Sequence, residues 1–225
     1  MTSEGYEEQR KKVVIPAYNR IKEIFLNGGY YQPLVSYGYF RCYAKKDDLI
    51  ILDESGNNLS EFNFPRQKQD KGLCIADYFR NKPGDSENNL DVIGVMAVTL
   101  GDDIVNKLNG MYSLDKYSDY YLLHGLAVEV ADALAEEVHR RMRVELGIDR
   151  ELEEDAGNTA IQPYQGSRYS FGYPACPNLK DNEKLLKLAK AEEIGIKLTE
   201  KYQMEPEFSV SALVVHHAQA RYFRV

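Results

Sequence analysis

The chain has 225 residues, of which 44% are hydrophobic and 28% are charged, a composition typical of one globular domain. Its net charge of −7, with no basic stripe among the aromatic residues, argues against nucleic acid as a partner. No stretch is long and apolar enough to cross a bilayer and no signal-peptide pattern opens the chain, so we expect a cytoplasmic protein with no membrane partner.

Residues 1–27 have the periodicity of a helix. Apolar side chains recur there at steps of three and four, and the run Asn27-Gly28-Gly29 predicts where the helix ends. We therefore expect residues 1–30 to form an N-terminal helical arm and residues 31–225 to form the domain proper.

From Ser36 the period changes to two, which is typical of a strand. Polar turns at Lys45–Asp48 and Asp53–Asn58 separate this strand from two more, the last of them at Ser60–Phe64. The pattern predicts a three-stranded antiparallel meander.

The middle of the chain contains its most apolar segment. Leu73–Phe79 predicts a single helical turn with Asp77 exposed, and residues 81–89 predict a polar loop. Asp91–Leu100 is an apolar run that predicts a buried central strand, and the two aspartates that follow it favour the start of a helix.

The longest helix is predicted in the segment after Tyr120. Its apolar face extends over roughly seven turns. That face comprises Leu122, Leu126, Val130, Leu134, Val138 and Met142, with Leu123, Ala127, Ala131 and Ala135 beside them. Arg140, Arg141 and Arg143 suit its C-terminal end, where cations are favoured, and Gly147 suits the position just beyond.

The last third of the chain mixes loops, one helix and one strand. Residues 148–165 are polar and are expected to be irregular. Asp181 predicts the cap of a helix that runs to Ile194 and stops at Gly195, and Ser209–Val215 predicts a final strand. Strands, then helices, then a closing strand predict an α+β fold with a largely antiparallel sheet.

The segment Arg168–Pro177, with the sequence RYSFGYPACP, cannot form a regular helix, because its two prolines push the residues before them toward extended backbone. Gly172 permits a turn, and Ala175 is small enough for a flat ligand to lie against the main chain, whose N–H and C=O groups would be free for its edges. The Arg168 guanidinium is a planar fork of donors suited to a carboxylate or phosphate. On spacing alone, a proline-rich connection with a surface arginine is the alternative.

The run Arg168-x-x-x-Gly172-Tyr173-Pro174-Ala175-Cys176-Pro177 resembles the signature of the activation domain of cobalamin-dependent methionine synthase, the domain that binds S-adenosylmethionine. Further stretches resemble it in the family's order. They are Tyr37-Gly38-Tyr39-Phe40, Phe64-Pro65-Arg66-Gln67, Leu73–Phe79 and the long segment after Tyr120. The resemblance implies a single curved α+β domain built on a twisted, mainly antiparallel sheet with flanking helices.

The resemblance implies a function in reactivation. When the cobalamin of such enzymes is oxidised to cob(II)alamin, one electron and a methyl group from S-adenosylmethionine restore methylcobalamin. This chain would therefore be a reactivation protein that binds S-adenosylmethionine and serves a separate cobalamin-dependent methionine synthase or another corrinoid methyltransferase. Cobalamin would be contacted on that partner and not held, and an electron donor such as a flavodoxin or ferredoxin would act on the complex.

The resemblance also implies a ligand site. Its residues would be Arg168, Gly172, Tyr173, Pro174, Ala175, Tyr222, Phe223 and Asp132. Arg168 would bind the donor's carboxylate, and the backbone of the proline-rich loop would line the adenosine, with Tyr173 near the corrin. The aromatic pair near the C-terminus would lie beside the donor, where an aromatic face suits a sulfonium. Asp132 matches a carboxylate on the family's long helix.

One departure from the family's pattern concerns the donor's amino group. Family members have an aspartate in an Ile-Asp-Trp segment before the meander, whereas this chain has no tryptophan and no aspartate before Asp47. Glu23 is a candidate substitute. Two alternatives therefore stand beside reactivation: a non-catalytic module that docks on a corrinoid protein and has lost donor binding, and a structural protein that keeps only the fold.

Motifs for other chemistries are missing from the sequence. There is no G-x-G-x-x-G, P-loop or nucleophile elbow, and the cobalamin-binding Asp-x-His-x-x-Gly motif of the resembled family is absent. Cys42, Cys74 and Cys176 are too isolated for that family's zinc-thiolate cluster, and they suit reduced, buried thiols. His216 and His217 would point to opposite faces of a strand. We expect no metal site, no bound cobalamin and no synthesis of methionine by this chain alone.

Overall fold

The structure, a computed structural model, describes residues 3–68, 72–81, 90–114, 116–148 and 164–223. Its helices are α1 (Ser3–Gln9), α2 (Ile15–Gly28), α3 (Asp102–Ser113), α4 (Tyr117–Glu145) and α5 (Asn182–Leu188). Its strands are β1 (Leu34–Lys45), β2 (Asp48–Leu52), β3 (Asn58–Asn63), β4 (Asp91–Thr99), β5 (Ser167–Tyr169), β6 (Lys197–Leu198), β7 (Met204–Glu205) and β8 (Ser209–Val215).

Six of these strands form one open sheet in the order β3-β2-β1-β4-β8-β5, and all of its neighbouring pairs are antiparallel. Strands β6 and β7 form a separate antiparallel pair. Helices and strands thus occupy separate layers, which is the α+β arrangement. The predicted fold class and the mainly antiparallel sheet are confirmed.

The predicted meander is confirmed as β1, β2 and β3. Strand β1 begins at Leu34, two residues earlier than predicted, because it continues to pair with β4 as far as Thr99. The chain reverses into β2 through a tight turn in which Lys46 has a φ of 58°. Leu49 and Ile51 alternate along β2 toward the apolar cluster on one face of the sheet.

Strand β4 is the predicted central strand, and it is buried from Ile93 to Thr99. It pairs with β1 on one side and with β8 on the other. Val95 and Ala97 face one apolar cluster, while Met96 and Val98 face the cluster under α4. Burial on both faces explains why this strand is an uninterrupted apolar run instead of an alternating one.

Helix α4 covers the second face of the sheet, but its buried line is not centred where the sequence predicts. The residues along the centre of that line are Leu123, Ala127, Ala131 and Ala135, which are 0–3% exposed. Leu122, which begins the predicted line, is 42% exposed. Small side chains let α4 lie close to its neighbours. Leu123, Ala127 and Ala131 pack with α2 and α3. Ala135, Val138 and Met142 pack on the sheet.

The N-terminal helices form a continuous lead, with a π-helical turn at Arg10–Val14 between α1 and α2. The predicted end of this lead is confirmed, because α2 stops at Gly28 and the next residue has a φ of 61°. Ile21 and Phe25 are buried in one apolar cluster with residues of α3 and α4. The second half of the lead therefore shares a core with the rest of the chain.

Helix α5 is shorter than the predicted helix from Asp181 to Ile194. It ends at Leu188, Lys190 takes a left-handed φ of 50°, and a separate 3-10 turn then runs from Ala191 to Ile194. Asp181 precedes α5 but does not cap it through its side chain. Its carboxylate instead accepts a hydrogen bond from Asn178 Nδ2 at 2.8 Å and pairs with Lys184 Nζ at 2.7 Å.

The predicted helical turn after Leu73 is confirmed as a 3-10 turn at Ile75–Tyr78, with Asp77 exposed. Most of the polar loops predicted at residues 81–89 and 148–165 lies outside the described residues. In the described part of the chain, no helix combines the length and the apolarity that a membrane crossing requires.

Candidate functional site

A cavity of about 310 Å³ lies at the β5 edge of the sheet, between α4 and the loop that follows β5. We call it the β5–β8 cavity. Four separated parts of the chain line it: α4, β5 with its following loop, the segment from β7 to β8, and the C-terminal segment. The lining residues are Asp132, Arg168, Tyr169, Ser170, Phe171, Tyr173, Ala175, Cys176, Met204, Ser209, Val210, Ser211 and Tyr222.

The loop after β5 is held in shape by its own backbone. Gly172 has a φ of 91°, and a Cβ at this position would lie 2.9 Å from Leu179 Cδ1, so both conformation and space favour glycine. The Gly172 N–H donates to the Cys176 carbonyl at 3.0 Å, and the Cys176 N–H donates to the Tyr173 carbonyl at 3.0 Å. The loop is thus a preformed wall of the cavity.

These bonds correct the expectation that the loop backbone is free for a ligand. The Tyr173 N–H donates to the Ser170 carbonyl at 3.4 Å, and Pro174 has no N–H. Within the segment from Tyr173 to Ala175, the amide left for a ligand is that of Ala175. The buried Cys176 thiol donates to the Ser170 carbonyl at 3.0 Å, and burial raises its pKa to about 12, so it is a structural thiol.

Arg168 enters the cavity from the middle of β5. It lies opposite Val214 of β8, on the sheet face that α4 covers, because side chains alternate along a strand. Its Nη2 donates to Glu136 Oε2 of α4 at 3.0 Å, and its side chain is 24% exposed. One edge of the guanidinium is therefore held by the protein while the residue still lines the cavity.

Behind Arg168 lies a charged cluster that joins α4 to β5. Glu136 Oε1 is 3.6 Å from Arg143 Nη1, and the Arg143 guanidinium lies 3.6 Å from the ring centroid of Tyr164. Burial and the neighbouring Glu136 raise the pKa of the Tyr164 hydroxyl to about 12. Arg143 lies in the last turn of α4, as predicted, and is 3% exposed because it faces this cluster.

The mouth of the cavity is aromatic. Tyr173 is 59% exposed and Tyr222 is 50% exposed, so both present ring surface to solvent at the rim. Asp132 adds a carboxylate from an exposed position of α4. A cavity with one guanidinium, one carboxylate and aromatic walls suits a ligand that carries an anionic group, a cationic group and a flat ring system.

Five of the predicted site residues line the β5–β8 cavity: Asp132, Arg168, Tyr173, Ala175 and Tyr222. Gly172 and Pro174 belong to the same loop and shape it. Phe223 does not line the cavity; it is 7% exposed and packs edge-on against Tyr78 and Tyr169 in the core.

Glu23, proposed as a substitute for the family's upstream aspartate, lies in a different place. It accepts a hydrogen bond from Asn27 Nδ2 at 2.7 Å and lines a second, more open cavity between α2, α3 and the start of α4. Glu23 therefore does not line the β5–β8 cavity. Among the described residues, Asp132 lines the β5–β8 cavity and Glu136 contacts Arg168 beside it, both from α4.

Sequence reasoning missed Glu136 and the wall formed by Met204 and Ser209–Ser211. Spacing gives a weak signal for Glu136, which lies one helical turn beyond Asp132. The sequence gives no signal for Ser209–Ser211, because their position at the cavity depends on the pairing of β8 with β5.

The described residues contain no group of three histidine, cysteine or acidic side chains that could hold a metal ion. His217 Nδ1 accepts the Gln219 N–H at 3.1 Å, and its ring lies 5.6 Å from that of Tyr78. Cys42, Cys74 and Cys176 are all buried free thiols, as expected.

Comparison with known proteins finds methionine synthases among the relatives of this chain. The chain is 38% identical over 204 residues to the methionine synthase of Mycobacterium tuberculosis (strain ATCC 25618 / H37Rv), and 37% identical over 201 residues to that of Mycobacterium leprae (strain TN). Each match covers 85% of this chain but 17% of the relative. The chain thus corresponds to a small part of those enzymes.

A solved structure resembles the whole chain. The crystal structure of the MetH reactivation domain bound to AdoHcy matches with a TM-score of 0.84 at 27% identity, covering 100% of this chain and 70% of that one. The model of the family described as vitamin B12 dependent methionine synthase, activation domain, matches residues 1–225. The chain belongs to the activation-domain family of vitamin B12-dependent methionine synthase.

Proposed function

We propose that this chain binds S-adenosylmethionine in the β5–β8 cavity and supports reductive methylation of cob(II)alamin held by a partner. That partner is a separate cobalamin-dependent methionine synthase or another corrinoid methyltransferase. The observation that carries the proposal is the meeting of Arg168, Asp132, the Gly172–Cys176 loop and Tyr222 at one cavity. A structural neighbour bound to AdoHcy, the product of methyl donation, supports the choice of ligand.

Different residues of the cavity bind different groups of the ligand. Arg168 donates to the carboxylate, because a guanidinium that is already held on one edge loses little freedom when it binds. Asp132 accepts from the amino group, the Ala175 amide and the loop wall meet the adenosine, and Tyr222 lies beside the sulfonium. Their joint effect is positioning, since methyl transfer needs the sulfur, the methyl carbon and the acceptor in line.

The acceptor is supplied by the partner. One electron from a flavodoxin- or ferredoxin-type donor would reduce the partner's cobalamin, which would then accept the methyl group with release of S-adenosylhomocysteine. Tyr173, exposed at the rim, is where we expect the corrin to make contact. A cytoplasmic location suits these partners and the buried free thiols of the chain.

A second candidate function is a docking module that no longer binds the donor. Arg168 is already paired with Glu136, and the family's upstream aspartate has no counterpart before Asp47. These facts would suit a cavity that has become structural. The two candidates differ in one measurable property, which is the affinity for S-adenosylmethionine or S-adenosylhomocysteine.

Calorimetric titration of the wild type and of Arg168→Leu tests the proposal. We expect the wild type to bind S-adenosylhomocysteine and the variant to bind it about ten- to two-hundredfold more weakly, because a hydrogen bond to a charged group contributes about 1.5–3 kcal/mol. Arg140→Leu is the matched control, since Arg140 pairs with Glu137 on α4 and does not line the cavity. Equal affinities in equally folded proteins would remove Arg168 from the site, and a wild type that binds neither ligand would favour the docking module.

A further inference from the structure

Glu136 lies between the two arginines behind the β5–β8 cavity. It lies one turn beyond Asp132 on α4, accepts a hydrogen bond from Arg168 Nη2 at 3.0 Å and lies 3.6 Å from Arg143 Nη1. Its negative charge also contributes to the raised pKa of the Tyr164 hydroxyl, after burial. Its side chain is 31% exposed, so water screens it only in part.

The charges at this end of the cavity cancel only because Glu136 is present. Among the described residues there, Arg168 and Arg143 each carry one positive charge, and Asp132 and Glu136 each carry one negative charge. His139, beside Arg143, adds none, since burial and the two arginines hold its pKa down to about 3. Without Glu136, the wall next to Arg168 would carry a net positive charge.

We propose that Glu136 determines how well this site accepts the positively charged methyl donor relative to its uncharged product. The inference rests on the proposed function. S-adenosylmethionine and S-adenosylhomocysteine share the nucleoside, the carboxylate and the amino group, and they differ by a methyl group and a positive charge on sulfur. By offsetting the buried Arg143, Glu136 prevents the cavity wall from repelling that sulfonium.

The ratio of the two dissociation constants isolates this effect. Any change in how Arg168 meets the carboxylate alters both ligands alike and leaves the ratio unchanged, whereas a change in the electrostatic potential at the sulfur affects the charged ligand more than the other. For Glu136→Gln, which keeps the size and the acceptor oxygen, we expect the ratio of the S-adenosylmethionine constant to the S-adenosylhomocysteine constant to rise about three- to tenfold.

Two further variants complete the experiment. Glu136→Asp keeps the charge, so its ratio should stay within about twofold of the wild type. Glu137→Gln removes the same charge from the neighbouring position, where the carboxylate is exposed, pairs with Arg140 and does not line the cavity, so its ratio should change much less than that of Glu136→Gln. Thermal melts of all four proteins confirm that they are folded.

Each outcome is decisive. A raised ratio in Glu136→Gln alone supports the inference. An unchanged ratio, with both affinities equal to the wild type or reduced in parallel, overturns it while leaving the proposed function standing, because Glu136 would then only support the arginines. A wild type that binds neither ligand overturns the proposed function, and the inference falls with it.

Discussion

His139 is a buried ionisable residue that the fold holds in its neutral form. Its ring is fully buried, it lies edge-on to Tyr164 at 5.4 Å, and neither ring nitrogen has a hydrogen-bond partner among the described residues. Burial, followed by the positive charges of Arg143 and Arg168, holds its pKa down to about 3. Protonation would place a third positive charge beside two arginines that share one carboxylate.

This depressed pKa predicts a pH-dependent loss of stability. Between the ordinary histidine pKa of about 6.5 and the folded value, the unfolded chain binds a proton that the folded protein does not, so stability is complete above pH 6.5 and falls as the pH is lowered. In His139→Leu, the loss of unfolding free energy between pH 7 and pH 5 should be smaller than in the wild type by up to about 2 kcal/mol. Urea unfolding at both pH values measures it, and parallel behaviour of the two proteins would contradict it.

At the level of single residues, the part of the cavity lining that is contiguous in the chain was the easiest to predict. Arg168, Tyr173 and Ala175 stand within one short motif, and all three line the cavity. Glu136 could not be found in this way, because its contact with Arg168 depends on where α4 crosses β5. Phe223 follows Tyr222 directly but is turned into the core, since neighbours in an extended segment point in opposite directions.

Among the elements, α4 and β4 are in close contact at Gly94. A Cβ added at Gly94 would lie 2.5 Å from Met142 Cε and 3.0 Å from Val214 Cβ. The methionine end can move, but the valine Cβ is fixed by the backbone of β8. Gly94 therefore leaves the space that Met142 of α4 occupies against β4 and β8.

Two glycine substitutions test this packing with opposite signs. Gly94→Ala should lower the free energy of unfolding by about 1–3 kcal/mol, because it overpacks the contact between α4 and the sheet. Gly125→Ala, on an exposed position of α4 with no atom within 4 Å of the added Cβ, should raise it by about 0.5–1 kcal/mol. Thermal or denaturant unfolding compares them, and equal effects of the two substitutions would show that the contact does not limit stability.

The elements that the sequence predicted well are long and strongly periodic, namely β1, β4, β8 and α4. Those it missed, β5, β6 and β7, have two or three residues each and no period to detect. The break between α5 and the turn after it was also unpredictable, because Lys190 adopts a left-handed conformation that its residue type does not favour. That conformation depends on how the chain packs in the fold, which a local sequence pattern does not show.

For the whole molecule, we expect the purified protein to contain neither zinc nor cobalamin. The described residues offer no cluster of metal-ligating side chains, and the sequence lacks an Asp-x-His-x-x-Gly motif. Elemental analysis and the absorption spectrum after gentle purification measure both. Stoichiometric zinc, or a corrin absorption band that survives gel filtration, would contradict the expectation.

We also expect the protein to bind a partner protein that holds cobalamin. Immobilised wild-type protein should retain a corrinoid protein from an extract of its source, and the amount retained should depend on the oxidation state of cobalt. Tyr173→Ser should weaken that retention without altering the melting temperature, since the exposed tyrosine ring contributes to no core cluster. Equal retention by both proteins would show that the corrinoid protein does not contact Tyr173 at the cavity rim.

The position of β4 between β1 and β8 has a consequence for the order of folding. Gly94 pairs with Tyr39 on one side and with Val214 on the other, so half of the partners of the central strand are synthesised long after it. Pairings between distant parts of a chain form late, because the entropy of closing so large a loop opposes them. Strand β8 also supplies Ser209–Ser211 to the cavity wall, and the pairing that completes the sheet is therefore the one that completes the binding site. A nascent chain that lacks its last strand would be unable both to hide its most apolar segment and to recognise a ligand.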